Sequence, residues 1–148
     1  MNPSFNSFAS VKFPVVDLHL HTTASDGLLS PSQLIIKVAD TSLRVVAITD
    51  HDSTDGIDQA VDAATRFPQL SVVPGIELSS HTDRSEIHLL GLYIDHNNAE
   101  FQKKLRTFRD DRVEAIRQSV EKLNEFGIKI SWSRVKELAE GAIGRPHI

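Results

Sequence analysis

The chain has 148 residues, of which 40% are apolar and 24% charged, with a formal charge of −4 and no cysteine. That length suits one ordinary domain with a real core, and the acidic balance gives no general affinity for nucleic acid, so any bound phosphate must meet positive charge brought by metal ions. A disulfide framework and a thiolate metal site are excluded; the missing cysteines, the lack of an apolar run of spanning length and the absence of a leader pattern in Met1 to Lys12 together predict a cytoplasmic protein with no membrane contact.

After a tail over residues 1–12, Phe13 to Leu20 reads as a first strand. Ser30-Pro31 then opens a helix that runs to Ala39, with serine as cap and proline in the first turn. Leu43 to Thr49 is a nearly continuous apolar run, the pattern of a buried strand, and Ile57 to Phe67 carries helical spacing after Asp55-Gly56. Leu70 to Leu78 forms a third strand region, and Ile87 to Ile94 a fourth beyond a polar loop. Strands alternating with helices imply a parallel α/β sheet.

The character changes after Asn97. Phe101, Leu105, Phe108, Val113, Ile116, Val120 and Leu123 recur near threes and fours up to Gly127, which predicts one long amphipathic helix with a glycine stop. Its other face carries Lys103, Lys104, Arg106, Arg109, Arg112 and Arg117, read as a solvated surface rather than a polynucleotide contact. Ser131 to Glu140 is a shorter helix closed by Gly141, with Trp132 packing inside that small segment, and Gly144-Arg145-Pro146-His147 looks like the start of a further element at which the chain is cut.

The chemistry is concentrated at strand ends. His19 and His21 lie two apart, so on an extended strand both imidazoles project from one face toward one cation, a pairing no helix offers. Asp26-Gly27 follows in the next loop, Thr49-Asp50-His51-Asp52 ends the second strand and Glu77 ends the third. Ligands of α/β sheets and barrels gather at that rim. Neutral nitrogen donors with carboxylates and no thiolate suit zinc, manganese or iron. Taken singly each feature has a plainer explanation: His-x-His occurs on exposed strands, Asp-Gly is a common turn, and a buried Glu77 can pair with an arginine. Asp50 is read as orienting a metal-bound imidazole or capping the following loop; His81 is left out of the metal set, and His96 is placed in the loop leading into the long helix.

Asp17-Leu18-His19-Leu20-His21-Thr22, Ser25-Asp26-Gly27, Ile48-Thr49-Asp50-His51-Asp52, Gly75-Ile76-Glu77 and Ile87-His88-Leu89-Leu90-Gly91 stand in this order. With them the chain resembles the polymerase and histidinol phosphatase (PHP) family of metal-dependent phosphoesterases, and Ser-Asp-Gly, the Asp after Thr-Asp-His and Gly144-Arg145-Pro146-His147 are similar to its stand-alone nucleotide phosphoesterase branch. The resemblance implies an α/β fold, the N-terminal part of a distorted (β/α)7 TIM-like barrel with a helical insertion starting over its mouth. Residues 13–96 would be the first half of the barrel and 97–148 the insertion. It also implies up to three divalent ions: one on His19, His21 and Glu77, a second on Glu77 and His88, a third on Asp26 and His51. The family's later histidine and Asp-x-His ligands are not in this sequence, so each ion would lack a protein ligand.

By the same resemblance Asp26, His51 and Glu77 would be catalytic, with metal-activated hydroxide attacking the phosphorus of a nucleotide or short oligonucleotide. Arg145 and His147 would reach the substrate phosphate. Two alternatives stay open: a non-catalytic metal-binding or scaffold module, and a polymerase-associated exonuclease domain. No stable duplex DNA binding is expected, and an open sheet edge after Ile94 would favour self-association.

Overall fold

The computed structural model describes residues 15–81, 86–139 and 141–148. The tail over 1–12, the predicted start of the first strand at Phe13, Glu140 and the side chain of His81 lie outside the described residues. Four strands, β1 (Val16–Leu20), β2 (Val45–Ile48), β3 (Ser71–His81) and β4 (Glu86–Leu92), form one sheet in that order. Helices α1 (Pro31–Ala39) and α2 (Ile57–Ala64) connect the first three, and α3 (Ala99–Glu125), α4 (Trp132–Leu138) and a 3-10 turn over Arg145–His147 follow.

The local sequence explains most boundaries. Ser30 caps α1 by accepting from the Gln33 amide while the Gln33 side chain accepts from the Ser30 amide, and Pro31 occupies the first turn, where no amide hydrogen is needed. The second helix ends three residues short of the predicted Phe67, because Pro68 disfavours helical backbone at the residue before it. The glycine stop of α3 is a Schellman turn: Gly127 has φ +85°, its amide bonds the Asn124 carbonyl and the Ile128 amide bonds that of Leu123. The last helix is also shorter than predicted, with Ala139 already extended.

Strands β1, β2 and β3 are parallel, as expected, but β4 is antiparallel to β3. Only residues 82–85 separate these two strands, whereas a parallel return needs a crossover of a dozen or more. Thus β3 is divided: residues 71–74 pair with β2 and residues 75–81 with β4. The edge strand β4 leaves Ile87, Leu89 and Leu90 about half exposed.

The main core joins Ile35 and Val38 of α1, Val46 and Ile48 of β2, and Ile57, Ala60 and Ala63 of α2, with Leu70. A second cluster packs Ile116 and Val120 of α3 on Val135 of α4, with Trp132 beside it. The apolar stripe predicted along all of α3 is only partly buried; Leu105, Ile116 and Val120 are, while Phe108 and Val113 stay exposed. Glycine lets the two parts meet closely: Ala142 donates to the Ala24 carbonyl at 3.0 Å, and a Cβ on Gly141 would stand 2.4 Å from that oxygen. Among the described residues no helix is long and apolar enough to cross a membrane.

Candidate metal centre

The end of β1, the turn after β2, and β3 converge because their ladders continue past the strands. The Thr49 amide bonds the Leu20 carbonyl at 2.9 Å, and His51 bridges to Glu77 through Glu77 N to Asp50 O (3.2 Å) and Asp52 N to Glu77 O (2.9 Å). His21, His51 and Glu77 are thereby set side by side, and β4 brings His88 from the far side of β3.

Glu77 is the hub. Its side chain is only 3% exposed, and its Oε2 lies 2.9 Å from His19 Nε2, 3.1 Å from His21 Nε2 and 3.6 Å from His51 Nδ1, while Oε1 lies 2.5 Å from His88 Nδ1. Asp26 sits opposite, 3.4 Å from His21 Nδ1 and 3.7 Å from His51 Nε2. The rings follow one another without stacking, tilted at 49° for His19 and His21 and 40° for His21 and His51 and edge-on for His51 and His88, with centroids 5.1, 4.8 and 5.1 Å apart. Three triads result, His19/His21/Glu77, His21/Asp26/His51 and His51/Glu77/His88, each with ligand atoms within 4.8 Å of one another. All six sequence-predicted metal residues are therefore brought to one place.

The electrostatics suit cation ligands. Burial works to raise the Glu77 carboxyl, but the His19 hydrogen bond, the nearby charge of His51 and the His88 bond outweigh it and hold the group below its ordinary range, as a carboxylate. Burial, reinforced by the Arg112 charge, pushes His51 below the usual imidazole value, so it presents a lone pair at neutral pH.

Asp50 has no direct bond to an imidazole among the described residues and reaches His21 only through Ser25, whose hydroxyl lies 3.4 Å from His21 Nδ1. It is buried and accepts from the Thr22 amide (2.7 Å), the Thr22 hydroxyl (2.7 Å) and the Ser25 hydroxyl (2.6 Å), clamping the loop that carries Asp26. Burial raises its pKa, against the lowering effect of those bonds. Asp52 has φ +48°, a left-handed conformation uncommon outside glycine. It is held there by Ser79 N on Oδ1 (3.1 Å) and Arg112 Nη1 on Oδ2 (2.8 Å).

Those contacts correct the solvated-surface reading for Arg112 and Arg109 alone; Lys103, Lys104 and Arg106 are exposed, and Arg117 pairs along the helix with Glu114 and Glu121. Arg112 donates to Asp52, to Ser79 Oγ at 2.5 Å and, through Nε, to the Ile143 carbonyl at 2.8 Å; Arg109 donates to the Asp52 carbonyl at 2.8 Å and pairs with Asp55 at 3.0 Å. Sequence reasoning missed Arg109, Arg112 and Ser79 as neighbours of the site. The available signal was slight: two arginines at i and i+3, and a second aspartate after Thr-Asp-His.

A cavity of about 510 Å3 opens beside the centre, lined among others by Asp26, His51, His88, Asp52, Arg112 and Arg145. His147 is not part of that lining. Its Nδ1 accepts from the Gly144 amide at 2.9 Å, and its ring faces a neighbouring recess of about 270 Å3 that shares Asp26 and Pro146. His96 stands in the loop before α3, bonded to Asp58 at 2.8 Å.

Comparison with known proteins accords with this geometry. The 5′-3′ exoribonuclease Rnm of Salmonella typhimurium is 36% identical over 135 residues, covering 90% of this chain and 46% of the relative, and the 3′,5′-nucleoside bisphosphate phosphatase of Chromobacterium violaceum is 36% identical over 115 residues, covering 76% and 39%. The chain thus spans about half the length of the curated relatives it matches. The solved structure of an amidohydrolase from Chromobacterium violaceum, with bound sulfate and no metal, aligns at a TM-score of 0.82 and 32% identity over 90% of this chain and 48% of that one. Its fold likeness makes the sheet described above part of a PHP-type, TIM-like α/β half-barrel. The model of the PHP domain matches residues 17–143, and with relatives over 30% identical along most of its length the chain belongs to the PHP-domain family of metal-dependent phosphoesterases.

Proposed function

We propose that this chain carries the metal-binding half of a phosphoesterase that hydrolyses nucleotides or short oligonucleotides. The single observation behind the reading is the set of three overlapping His, Asp and Glu triads built around buried Glu77 at the edge of a cavity lined by Arg112 and Arg145. In this reading residues 13–96 belong to a (β/α)7 barrel and 97–148 to a helical insertion over its mouth. The donor set, imidazoles and carboxylates without sulfur, fits up to three ions of manganese, zinc or iron. Bound divalent ions supply Lewis acidity toward a phosphoryl oxygen and lower the pKa of water.

The protein's own part is positioning. Glu77 offers its two oxygens to different imidazole sets, so one carboxylate serves neighbouring sites. His19, His21 and His88 complete those sets, and Asp26 and His51 close the third, with the Asp50 clamp fixing the loop from which Asp26 reaches in. Arg145 is the candidate for an anionic phosphate. His147 supports it indirectly by fixing the Gly144 amide at the base of the same turn.

The relatives named for exoribonuclease and nucleoside bisphosphate phosphatase activity favour this reading over a polymerase-associated domain. The test is phosphate release from a nucleoside 3′,5′-bisphosphate by the purified chain with manganese or zinc, with metal content measured alongside. Turnover lost in Glu77→Gln supports the proposal; metal bound without turnover assigns a non-catalytic metal-binding module instead, and no bound metal refutes both. Light scattering on the same sample reads out self-association through β4.

A further inference from the structure

The cavity beside the metal centre is lined by unlike groups. Asp26, His51, His88, Arg112 and Arg145 are charged or polar, whereas Phe108, Ala115 and Ile116 of α3 are apolar. These three fall at i, i+7 and i+8, on one face of the helix. Ile116 belongs to the second core cluster and is only 7% exposed, whereas Phe108 stands 43% exposed. An aromatic side chain left open in the lining of a cavity that it shares with cation-ligating residues and arginines is available for recognition and is not core packing.

We infer that Phe108 is the stacking platform for the base of a nucleotide whose phosphate is held by the charged residues lining the same cavity. The proposal rests on the phosphoesterase reading of the site and adds the residue that selects for a nucleoside. Every base offers a flat π face to an aromatic ring, so such a platform accepts nucleotides without fixing their sequence. A bare sugar phosphate has no flat apolar face for the ring. A cavity of about 510 Å3 lies within the range of small-ligand sites, roughly 300 to 1,000 Å3, and suits one nucleotide unit, free or at the end of a strand. The Asp111 and Ser119 side chains line the same cavity and offer polar partners to a base edge.

The experiment is calorimetric titration of the full chain, loaded with manganese, using adenosine 5′-monophosphate and ribose 5-phosphate, which differ by the base alone. The wild type should prefer the base-bearing ligand by roughly tenfold, as stacking on one ring provides. Phe108→Ala and Phe108→Leu should both lose that preference, and Phe108→Trp should keep it; the leucine variant holds the apolar bulk, so a change in ratio reports the ring and not the fold. Retention of the preference in Phe108→Leu, with ribose 5-phosphate still bound, overturns the platform and leaves the phosphoesterase reading standing. Failure of the wild type to bind either ligand removes both. A 5′-phosphorylated RNA trinucleotide separates the two sources of the base: tighter binding than the mononucleotide assigns a strand end, weaker binding a free nucleotide.

Discussion

Arg112→Met should be among the most damaging single changes outside the six clustered His, Asp and Glu residues. The guanidinium holds three groups at once, the Asp52 carboxylate at 2.8 Å, the Ser79 hydroxyl at 2.5 Å and the Ile143 carbonyl at 2.8 Å, and the two charged side chains are 14% and 2% exposed. Methionine keeps the length of the stem and removes every donor. Stranding one member of a fully buried ion pair costs about 3 to 5 kcal/mol, because the remaining charge has lost its compensation. Water reaching the residual opening at position 112 reduces this, and the Ser79 amide still serves Asp52, so we expect about 2 to 3 kcal/mol, a large share of a total stability of about 5 to 15 kcal/mol. Urea unfolding of wild type, Arg112→Met, Asp52→Asn and the double variant measures the loss and the coupling in one cycle. A coupling energy near 1.5 kcal/mol or more is expected. Additive single effects, or an Arg112→Met loss within about 0.5 kcal/mol of zero, would refute the clamp.

Asp50→Ala strands the buried Thr22 amide and the two buried hydroxyls aimed at that carboxylate, and should lower the urea-derived stability by about 2 kcal/mol or more, while Asp50→Asn, which retains one acceptor, costs less. Glu77→Gln should cut the manganese retained per chain after gel filtration, measured by plasma mass spectrometry, and shrink the rise in Tm on adding metal; retention equal to wild type would contradict its place as hub. The chelator-treated chain should lose stability on acidification. His51 binds its proton more readily unfolded than folded, so its contribution is complete above about 6.5 and fades as pH falls through the lower folded value; Glu77, also depressed, fades as pH drops below 4.5. Urea midpoints at pH 7 and pH 5 should differ, and His51→Asn should narrow the gap.

How far the sequence discloses this molecule depends on whether the cause is local. The α1 boundaries follow from Ser30, Pro31 and Gln33 alone, and the end of α3 from Gly127. Five of the six clustered residues were legible because strand ends on one rim must meet, whatever the details of packing; His88, near the start of β4, was reached only through the family resemblance. The direction of β4 was missed although the predicted gap over 79–86 was already too short for a parallel crossover, since the alternation of the earlier units dominated the reading. Arg109 and Arg112 could not be placed from sequence: their partners lie 31 to 60 positions away, and a basic helix face looks alike whether it meets water or a buried carboxylate. Phe108 was assigned to an apolar stripe by its period, which reports the face of a helix but not what stands opposite.

The three triads divide their six members evenly: His21, His51 and Glu77 each belong to two, while His19, Asp26 and His88 each belong to one. Cation loading on such a centre should therefore be coupled from one ion to the next, since whatever orients a common side chain toward one ion alters its availability to the next. Titration should then give a curve that no set of independent equivalent sites reproduces, and the severity of a substitution should follow membership, with changes at the doubly used positions erasing more than one step and changes at the others erasing a single one.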